Sequence, residues 1–513
     1  MTMRDGNGDQ GSRTIITRRR FLAASGAMAL ASVLAACGDT AAVPPTTGTG
    51  STAATTGATT ATGGATTAAA PATTAAAPAT AAASGATTMT GGATTMAATT
   101  AAAMPASAST GKPIKGTEIT ILWMPPSIQE ASDLQEKNMD DWAKGAGVKL
   151  TKDTVALDQW DAKLATNAQT KQGADLVSMY AQHVATNENV MMDITDFAGQ
   201  LGTKVGGWYD GPKTVSVRPN NQWKALPAAI YGQYWIYRQD LFQQAGVTAW
   251  PETYEDFHQV GKKLKAAGTP IGHTLGHAVT DGATHNYSLM WSYGAKETEA
   301  DGKTLALNSK EMMDCLTFFQ SYYKDSLAEN AFAWDETGNN NAYNSGQIAA
   351  TNNANTIYAG LLKNDPGLAM KSNHGNTLKG PAGGFQYMSM QFWGIPTYAK
   401  NVDAAKAYLT DAFYTKDFQT AWTKAGNGYN LPPFGLLESV DAAWPSDPKL
   451  ASARTLAKTT RVPGSPGPYT STIGAAQNKF IIVDMFAKVA QGMAPKDAIA
   501  FAVNEYTVLL KGM

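Results

Sequence analysis

A long segment of low complexity limits where this chain can build a folded domain. From Gly38 to about Ser109 the sequence is almost entirely Ala, Thr, Gly and Pro, without aromatic residues and without charge beyond Asp39. Such a segment cannot bury enough apolar surface to offset the entropy lost on ordering it. We therefore predict a disordered tether over residues 37–112. As a flexible coil of roughly 70 residues, it would average about 45 to 50 Å from end to end.

The residues before this segment have the pattern of an export signal. Arg18 and Arg19 stand in the run Thr17–Leu22, which resembles the twin-arginine signal of proteins exported in the folded state, with Ala23 where a Lys often follows. The apolar stretch 21–33 is too short and too rich in Ala to cross a bilayer, as is typical of a secretory signal peptide. An ordinary charged region with one additional arginine is the alternative to the twin-arginine interpretation.

A cysteine follows the apolar stretch. The run Leu34-Ala35-Ala36-Cys37 resembles the lipobox of bacterial lipoproteins, in which a Leu and two small residues precede an obligatory Cys. The resemblance implies that residues 1–36 are removed as a signal peptide and that Cys37 receives a diacylglyceryl group. Two acyl chains are enough for stable anchoring. We therefore expect the protein to work outside the cytoplasm, attached to the cell membrane through the lipid on Cys37.

The remaining residues, 114–513, number about 400 and suit two lobes better than one core. The whole chain has a net charge of −1, with 40 Lys and Arg against 41 Asp and Glu. No basic run is interleaved with aromatic residues, so nucleic acid is not indicated and a nearly neutral partner is favoured. With Cys37 lipidated, Cys315 has no intramolecular disulfide partner, and we expect it to be a small buried hydrophobic residue.

The first part of this region alternates predicted strands with predicted helices. The strands are residues 118–124, stopped by Pro125-Pro126, then 148–155 and 174–179, and the helices between them run through Met139 to Gly145 and onward from Asp158. This order predicts a parallel α/β sheet with crossover helices. Ligands of such sheets bind at the carboxyl ends of the strands.

Several short motifs then follow one another. They are Ala225–Pro227, Ile236–Phe242 with Ala245–Val247, Pro251–Phe257, Asn344–Ala350, Phe392–Pro396 and the helical stretch Asp403–Trp422. In this order they resemble motifs of the maltose-binding-protein-like, sugar-binding family of ABC-transporter solute-binding proteins. Thr253 also suits a helix N-cap, with Asp256 three residues later and Phe257 on the apolar face. Two departures are Ala174 in place of the family's Pro and Asn352 near the position of its usual Trp.

The resemblance implies the two-lobed periplasmic-binding-protein fold of type II, with the ligand cleft between lobes and a hinge that the chain crosses more than once. We expect residues 113–229 and 392–430 in lobe 1, and residues 230–391 and 431–513 in lobe 2. The implied function is capture of a carbohydrate or a similar polar small molecule and its delivery to the permease subunits of an ABC importer. The protein is expected to be a monomer without enzymatic activity, cofactor or metal.

A sugar site needs flat aromatic faces for the ring and planar amides or acids for the hydroxyl groups. By resemblance and position, the expected ligand-binding residues are Trp123, Gln182, His183, Tyr231, His285, Asn286, Trp334, Asn353, Asn355, Trp393 and Tyr469. Gln182 and His183 are expected in the loop after the third strand, and His285 and Asn286 in a loop of lobe 2. For Tyr231 and Trp334, core packing explains the residue equally well.

Catalytic and metal sites are less well supported by the sequence. Adjacent carboxylates such as Asp335-Glu336 point apart and are interpreted as solvated turn charges. His273, His277 and His285 lack the Glu of a zinc-protease helix. Two alternatives stay open. One is a binding protein for another small solute, such as a polyamine, which would need an acidic cluster in the cleft, or a peptide. The other is a secreted carbohydrate-active enzyme, which would need two converging carboxylates.

Overall fold

The computed structural model describes residues 114–155 and 159–512 of the 513-residue chain. The predicted signal peptide, the tether, Arg18, Arg19 and Cys37 lie outside the described residues. Within the two described ranges, no helix has the length and apolar character needed to cross a membrane.

The strands form two main sheets. In chain order they are β1 Glu118–Leu122, β2 Lys149–Asp153, β3 Leu176–Tyr180, β4 Leu226–Tyr231, β5 Gln233–Arg238, β6 Ala350–Ala354, β7 Ser372–Gly375, β8 Lys379–Gly380, β9 Gly383–Gly384, β10 Gln386–Tyr387, β11 Met390–Gly394, β12 Asn430–Leu431 and β13 Thr460–Arg461. The larger sheet has six strands in the order β12-β4-β11-β3-β1-β2, and the smaller has three in the order β6-β5-β7.

The α-helices lie between and after these strands. They are α1 Gln129–Ala146, α2 Trp160–Thr170, α3 Ala181–Thr186, α4 Thr195–Lys204, α5 Asp210–Ser216, α6 Gln239–Gln244, α7 Tyr254–Ala266, α8 Asp281–Ser292, α9 Lys310–Ser326, α10 Gly338–Asn344, α11 Thr356–Asn364, α12 Pro366–Lys371, α13 Val402–Tyr408, α14 Lys416–Gly426, α15 Ala453–Thr459, α16 Ser471–Asn478, α17 Ile481–Ala490 and α18 Pro495–Lys511. A π-helical turn, Leu409–Phe413, continues α13.

The early β-α-β pattern is confirmed. β1 pairs in parallel with both β2 and β3, with α1 and α2 as the crossover helices, and the strand ends differ from the sequence-based bounds by a few residues. The sheet is then completed by β11, which runs antiparallel between β3 and β4. The N-cap at Thr253 is confirmed as well, because its hydroxyl accepts a hydrogen bond from the backbone N–H of Asp256 at 3.0 Å. The apolar face of α7 is buried through Phe257 and Leu264.

The chain passes directly from the large sheet to the small one at Gly232, which separates β4 from β5. A side chain at this position would lie 2.5 Å from the carbonyl oxygen of Gly428, so only glycine permits this close approach of two backbone segments. The chain returns to the large sheet between β7 and β11. These crossings join the two sheets at the edge where β4 ends and β5 begins.

Each sheet is packed against its own apolar side chains. On one face of the large sheet, Ile121 and Trp393 are buried with Phe413 of the π-helical turn. Beside the small sheet, Trp235 packs on Phe257, with ring centroids 4.7 Å apart. Cys315 in α9 is also fully buried, as expected from the sequence, and burial raises the pKa of its thiol.

Candidate ligand-binding cavity

A cavity of about 490 Å³ lies where the two sheets meet. This volume falls in the usual range for small-molecule sites, about 300 to 1,000 Å³. Its lining residues are Ser127, Tyr180, Tyr231, Gln233, Thr280, Asp281, Glu336, Thr337, Asn340, Asn353, Ala354, Thr356, Ser389 and Tyr429. Tyr180 and Tyr231 are the last residues of β3 and β4, so the cavity occupies the strand edge that the sequence predicts for a ligand.

Three phenol rings form what we call the tyrosine wall, namely Tyr180, Tyr231 and Tyr429. The rings of Tyr231 and Tyr429 are stacked, with centroids 4.6 Å apart and planes inclined by 19°, and Tyr180 meets Tyr231 edge to face at 6.1 Å. The hydroxyl of Tyr429 donates to Ser127 Oγ at 3.1 Å. Burial raises the pKa of Tyr429 to about 12 and the pKa values of the other two phenols well above their ordinary value. All three are therefore neutral hydrogen-bonding groups near pH 7.

Two carboxyl groups and a hydroxyl form what we call the acidic wall, namely Thr280, Asp281 and Glu336. Glu336 accepts hydrogen bonds from the backbone N–H of Thr280 at 2.8 Å and from its hydroxyl at 2.6 Å. That same hydroxyl lies 3.5 Å from Asp281 Oδ1. Burial, followed by the nearby charge of Glu336, raises the pKa of the Asp281 carboxyl well above its usual range. The Asp281 carboxyl therefore ionises less readily than an exposed one.

Amide groups complete the lining. Asn353, at the end of β6, donates through Nδ2 to Asn340 Oδ1, and the same nitrogen lies 3.4 Å from Asp281 Oδ2. Gln233, the first residue of β5, is only 2% exposed, and its Oε1 finds no partner in the described part of the chain. A buried carbonyl oxygen without a donor is costly, so this atom is well placed to accept a hydrogen bond from a ligand.

Of the ligand-binding residues expected from the sequence, the structure brings Tyr231 and Asn353 together in the cavity lining. Asn355 lies just beyond the end of β6 and donates through Nδ2 to the carbonyl oxygen of Asn427. Its backbone position is close to the site, but its amide is engaged with the segment that precedes β12. The roles of these residues in ligand binding stay predictions.

The four residues expected in loops lie in helices. Gln182 and His183 are buried in α3, and burial lowers the pKa of His183 to about 4. His285 and Asn286 are buried in α8, where the ring of His285 stacks on His273 with centroids 3.6 Å apart. The prediction that these four residues lie in loops is therefore wrong. The apolar residues on both sides of these polar pairs continue the helical pattern, and the polar side chains are enclosed within it.

The remaining expected residues are packed away from the cavity lining. Trp123 is buried against the large sheet, and Trp334 lies against Gly272 and Gly338. Trp393 has 0% exposure and meets Phe413 edge to face at 5.5 Å. Tyr469 also lies outside the cavity lining, and its hydroxyl donates to Gln477 in α16.

Sequence reasoning missed all three members of the acidic wall. The interpretation of Asp335-Glu336 as solvated turn charges holds for Asp335, which is exposed and accepts hydrogen bonds from Thr337. It is wrong for Glu336, which is half-buried and lines the cavity. The useful signal was that adjacent side chains point apart, so one member of the pair can face inward. Asp281 carried a weaker signal as an acid in the first turn of a helix with an otherwise apolar and neutral sequence.

The histidines do not form a metal site in the described ranges. His277 is exposed and pairs with Asp484 at 2.7 Å, whereas His273 and His285 are stacked inside the core. No group of three or more His, Cys, Asp or Glu side chains within residues 114–155 and 159–512 is arranged to hold a metal ion.

The chain belongs to the family described as bacterial extracellular solute-binding proteins, because residues 125–419 match that family over more than half of the sequence. A relative from Brucella abortus (strain 2308) that bears the name of a binding protein is 28% identical over 105 residues. This match spans 20% of the present chain and 25% of the relative, so the chain matches about a quarter of that protein's length.

Solved structures share the fold over most of the chain. The GacH receptor of Streptomyces glaucescens, studied unliganded and with acarbose, is 17% identical with a TM-score of 0.63, covering 77% of this chain and 98% of its own. A sugar transporter from Arthrobacter chlorophenolicus with bound laminaribiose is 15% identical with a TM-score of 0.65, and the match covers 76% of this chain and 99% of the transporter chain. Maltose-bound MalE3 of T. maritima is 17% identical with a TM-score of 0.62, and the match covers 77% of this chain and 100% of MalE3. The predicted two-lobed periplasmic-binding-protein fold is confirmed.

Proposed function

We propose that this protein is a lipid-anchored solute-binding protein that captures a carbohydrate outside the cytoplasm and delivers it to an ABC importer. The observation that carries the proposal is the cavity between the two sheets, which combines the tyrosine wall with amide and carboxyl groups. Phenol faces suit the C–H surface of a sugar ring, and planar polar groups suit its hydroxyls. Family membership and the sugar ligands of the structural neighbours support the same conclusion.

The arrangement of the two acids favours binding over glycoside hydrolysis. A glycosidase places its carboxyl groups on opposite sides of the bond that it cleaves. Here Asp281 and Glu336 both approach the hydroxyl of Thr280, so they stand side by side on one wall. This arrangement favours a non-enzymatic binding role over a carbohydrate-active enzyme.

Thermal unfolding tests the capture of a carbohydrate. A ligand that binds only the native state raises the unfolding midpoint as its concentration increases. We expect at least one member of a panel of mono- and oligosaccharides, with and without amino groups, to raise the midpoint of the purified full-length chain. If no sugar does so and a peptide or linear polyamine does, the carbohydrate proposal is rejected in favour of another small solute.

Membrane anchoring requires a separate test, because Cys37 lies outside the described residues. The lipid on this residue is the proposed anchor, and the ABC permease is the proposed partner of a monomeric binding protein. We expect Cys37→Ala to abolish lipidation and to release the protein into the soluble fraction. Cys37→Ser is a closer isosteric variant and should behave identically. Full membrane retention of both variants would contradict the lipoprotein proposal.

A further inference from the structure

We infer that the preferred ligand of the cavity is an amino sugar, a carbohydrate that carries a protonated amine, rather than a neutral sugar. This inference rests on the proposed function and narrows it to one substrate class. Four features of the cavity support it: an excess of acidic groups, the long hydrogen bonds of Asp281, an unpartnered amide carbonyl, and the phenol rings.

The cavity is acidic without compensation. Asp281 and Glu336 line it, and none of the residues that line it in the described part of the chain is Lys, Arg or His. Neither acid takes part in an ion pair with the described residues, although many carboxylates elsewhere on the protein do. An ammonium group on the ligand would neutralise this charge directly, whereas the hydroxyl groups of a neutral sugar would stabilise it only through hydrogen bonds.

The carboxyl group of Asp281 lies among weak donors, namely the hydroxyl of Thr280 and the side-chain amides of Asn339 and Asn353. The residue is 6% exposed, and its contacts with Thr280 Oγ1 and Asn353 Nδ2 are 3.5 and 3.4 Å long, beyond the usual range for strong hydrogen bonds. Gln233 Oε1 is a second buried acceptor on the same cavity and has no partner among the described residues. An ammonium group offers three donors and no acceptor, which matches this set of acceptors.

The phenol rings distinguish an amino sugar from a simple polyamine. A cation near the face of a tyrosine is attracted by the ring quadrupole, and the C–H face of a sugar packs on the same surface. The stacked pair of Tyr231 and Tyr429 offers this surface beside amides that can select hydroxyl groups. A linear polyamine would satisfy the carboxylates but would leave the hydroxyl-binding amides of Asn340 and Asn353 without a ligand partner.

Calorimetric titration of the purified full-length chain near pH 7 tests the inference. The probes are glucosamine, its disaccharide, their N-acetylated counterparts and putrescine. We expect the amines to bind at least tenfold more tightly than their acetylated counterparts. Tighter binding of the acetylated, neutral sugars would overturn the inference and leave the proposed carbohydrate function intact.

Isosteric variants provide the matched comparison. Asp281→Asn and Glu336→Gln should each lower the preference for the amine at least tenfold. Glu329→Gln, on the exposed surface outside the cavity lining, is the control and should leave this preference unchanged. Unfolding midpoints without ligand show whether each variant is folded. An unchanged amine preference in both folded cavity variants, or putrescine binding tighter than every sugar, would overturn the inference; the putrescine result would also reject the carbohydrate function.

Discussion

Two clusters of aromatic side chains lie on the large sheet, and they differ in what they face. The first is the tyrosine wall, whose members Tyr180 and Tyr231 end their strands and line the cavity. The second, which we call the aromatic core, comprises Trp393, Tyr408 and Phe413 and is fully buried. Trp393 lies within β11, with paired strands on both sides, and therefore packs on the helical layer.

The comparison shows that position along a strand decides the role of an aromatic residue more than its type does. A ring in the middle of a central strand is covered by the adjoining layer. At the end of the same sheet, where the chain turns toward the second sheet, a ring is left beside the cavity. The predictions below separate contributions to stability, which we assign to the core, from contributions to binding, which we assign to the wall.

The largest effect is expected for Trp393→Ala. Removal of this buried ring should lower the free energy of unfolding by about 3 to 5 kcal/mol, because a cavity is left in a packed core. Urea denaturation measures the loss. Ligand affinity of the same variant, determined at a temperature where it is folded, tests the separate sequence-based prediction that Trp393 binds ligand. Unchanged stability together with weaker binding would place Trp393 at the ligand and remove the distinction between the two clusters.

A smaller loss of stability is expected in acid. Burial lowers the pKa of His285 to about 3 and the pKa of His374 to about 4, below the ordinary value near 6.5. The unfolded chain therefore takes up protons as the pH falls below about 6.5, while the folded chain does not. For His285 alone, the loss is on the order of 3 kcal/mol between pH 6.5 and 4, at about 1.4 kcal/mol per pH unit.

Buried carboxyl groups act in the opposite sense. Burial raises the pKa of Asp281 and Glu297 in the folded protein, so lowering the pH removes a destabilising charge and offsets part of the loss. Urea midpoints measured from pH 7 to 4 should still decrease. His285→Leu should reduce the slope of unfolding free energy against pH by about one proton. A slope that is identical in this variant would show that His285 titrates in the same way in both states.

Substitution in the tyrosine wall should act mainly on binding. Tyr231→Ala is expected to weaken binding of the best ligand by about 1 to 3 kcal/mol, the scale for loss of a large contact face. Tyr231→Phe keeps the ring and should retain most of the affinity. Calorimetric titration of both variants makes the comparison, with the unfolding midpoints as a check. Equal loss in both variants would assign the effect to the hydroxyl group rather than to the ring.

The smallest effect is expected at the surface. Lys363 on α11 pairs with Glu130 on α1 and so joins elements that follow the two different sheets. Because exposed ion pairs contribute about 0.2 to 1 kcal/mol, Glu130→Gln should change ligand affinity by less than about fivefold, and less at high salt. Asp141→Asn breaks a pair within α1 alone and is the control. A larger loss for Glu130→Gln would show that this pair has a major part in lobe closure.

Much of the fold could be predicted from local pattern. Apolar alternation in residues 118–124 and the breaks that follow predicted the parallel order of the first three strands. Thr253 predicted the start of a helix. Both predictions succeed because strand alternation and N-capping depend on residues that are close in sequence. The motif order also implied the two-lobed fold. The lobe boundaries stay predictions. His285 and Asn286 were assigned to a loop because they lie in a helix that is buried on all sides, and such a helix lacks the alternation of apolar and polar faces that marks a surface helix.

The sequence by itself determined the class of the folded region through its α/β periodicity and its family motifs in order, and it predicts a disordered tether before that region. Only the tertiary structure decided which side chains meet. Tyr231, Asp281 and Glu336 are separated from one another by at least fifty residues along the chain, yet they line one cavity. Tyr231 ends β4, Asp281 begins α8 and Glu336 lies just before α10, and the fold brings these three points together. Periodicity reports which residues are buried, whereas convergence of distant groups depends on how the two sheets are joined at Gly232.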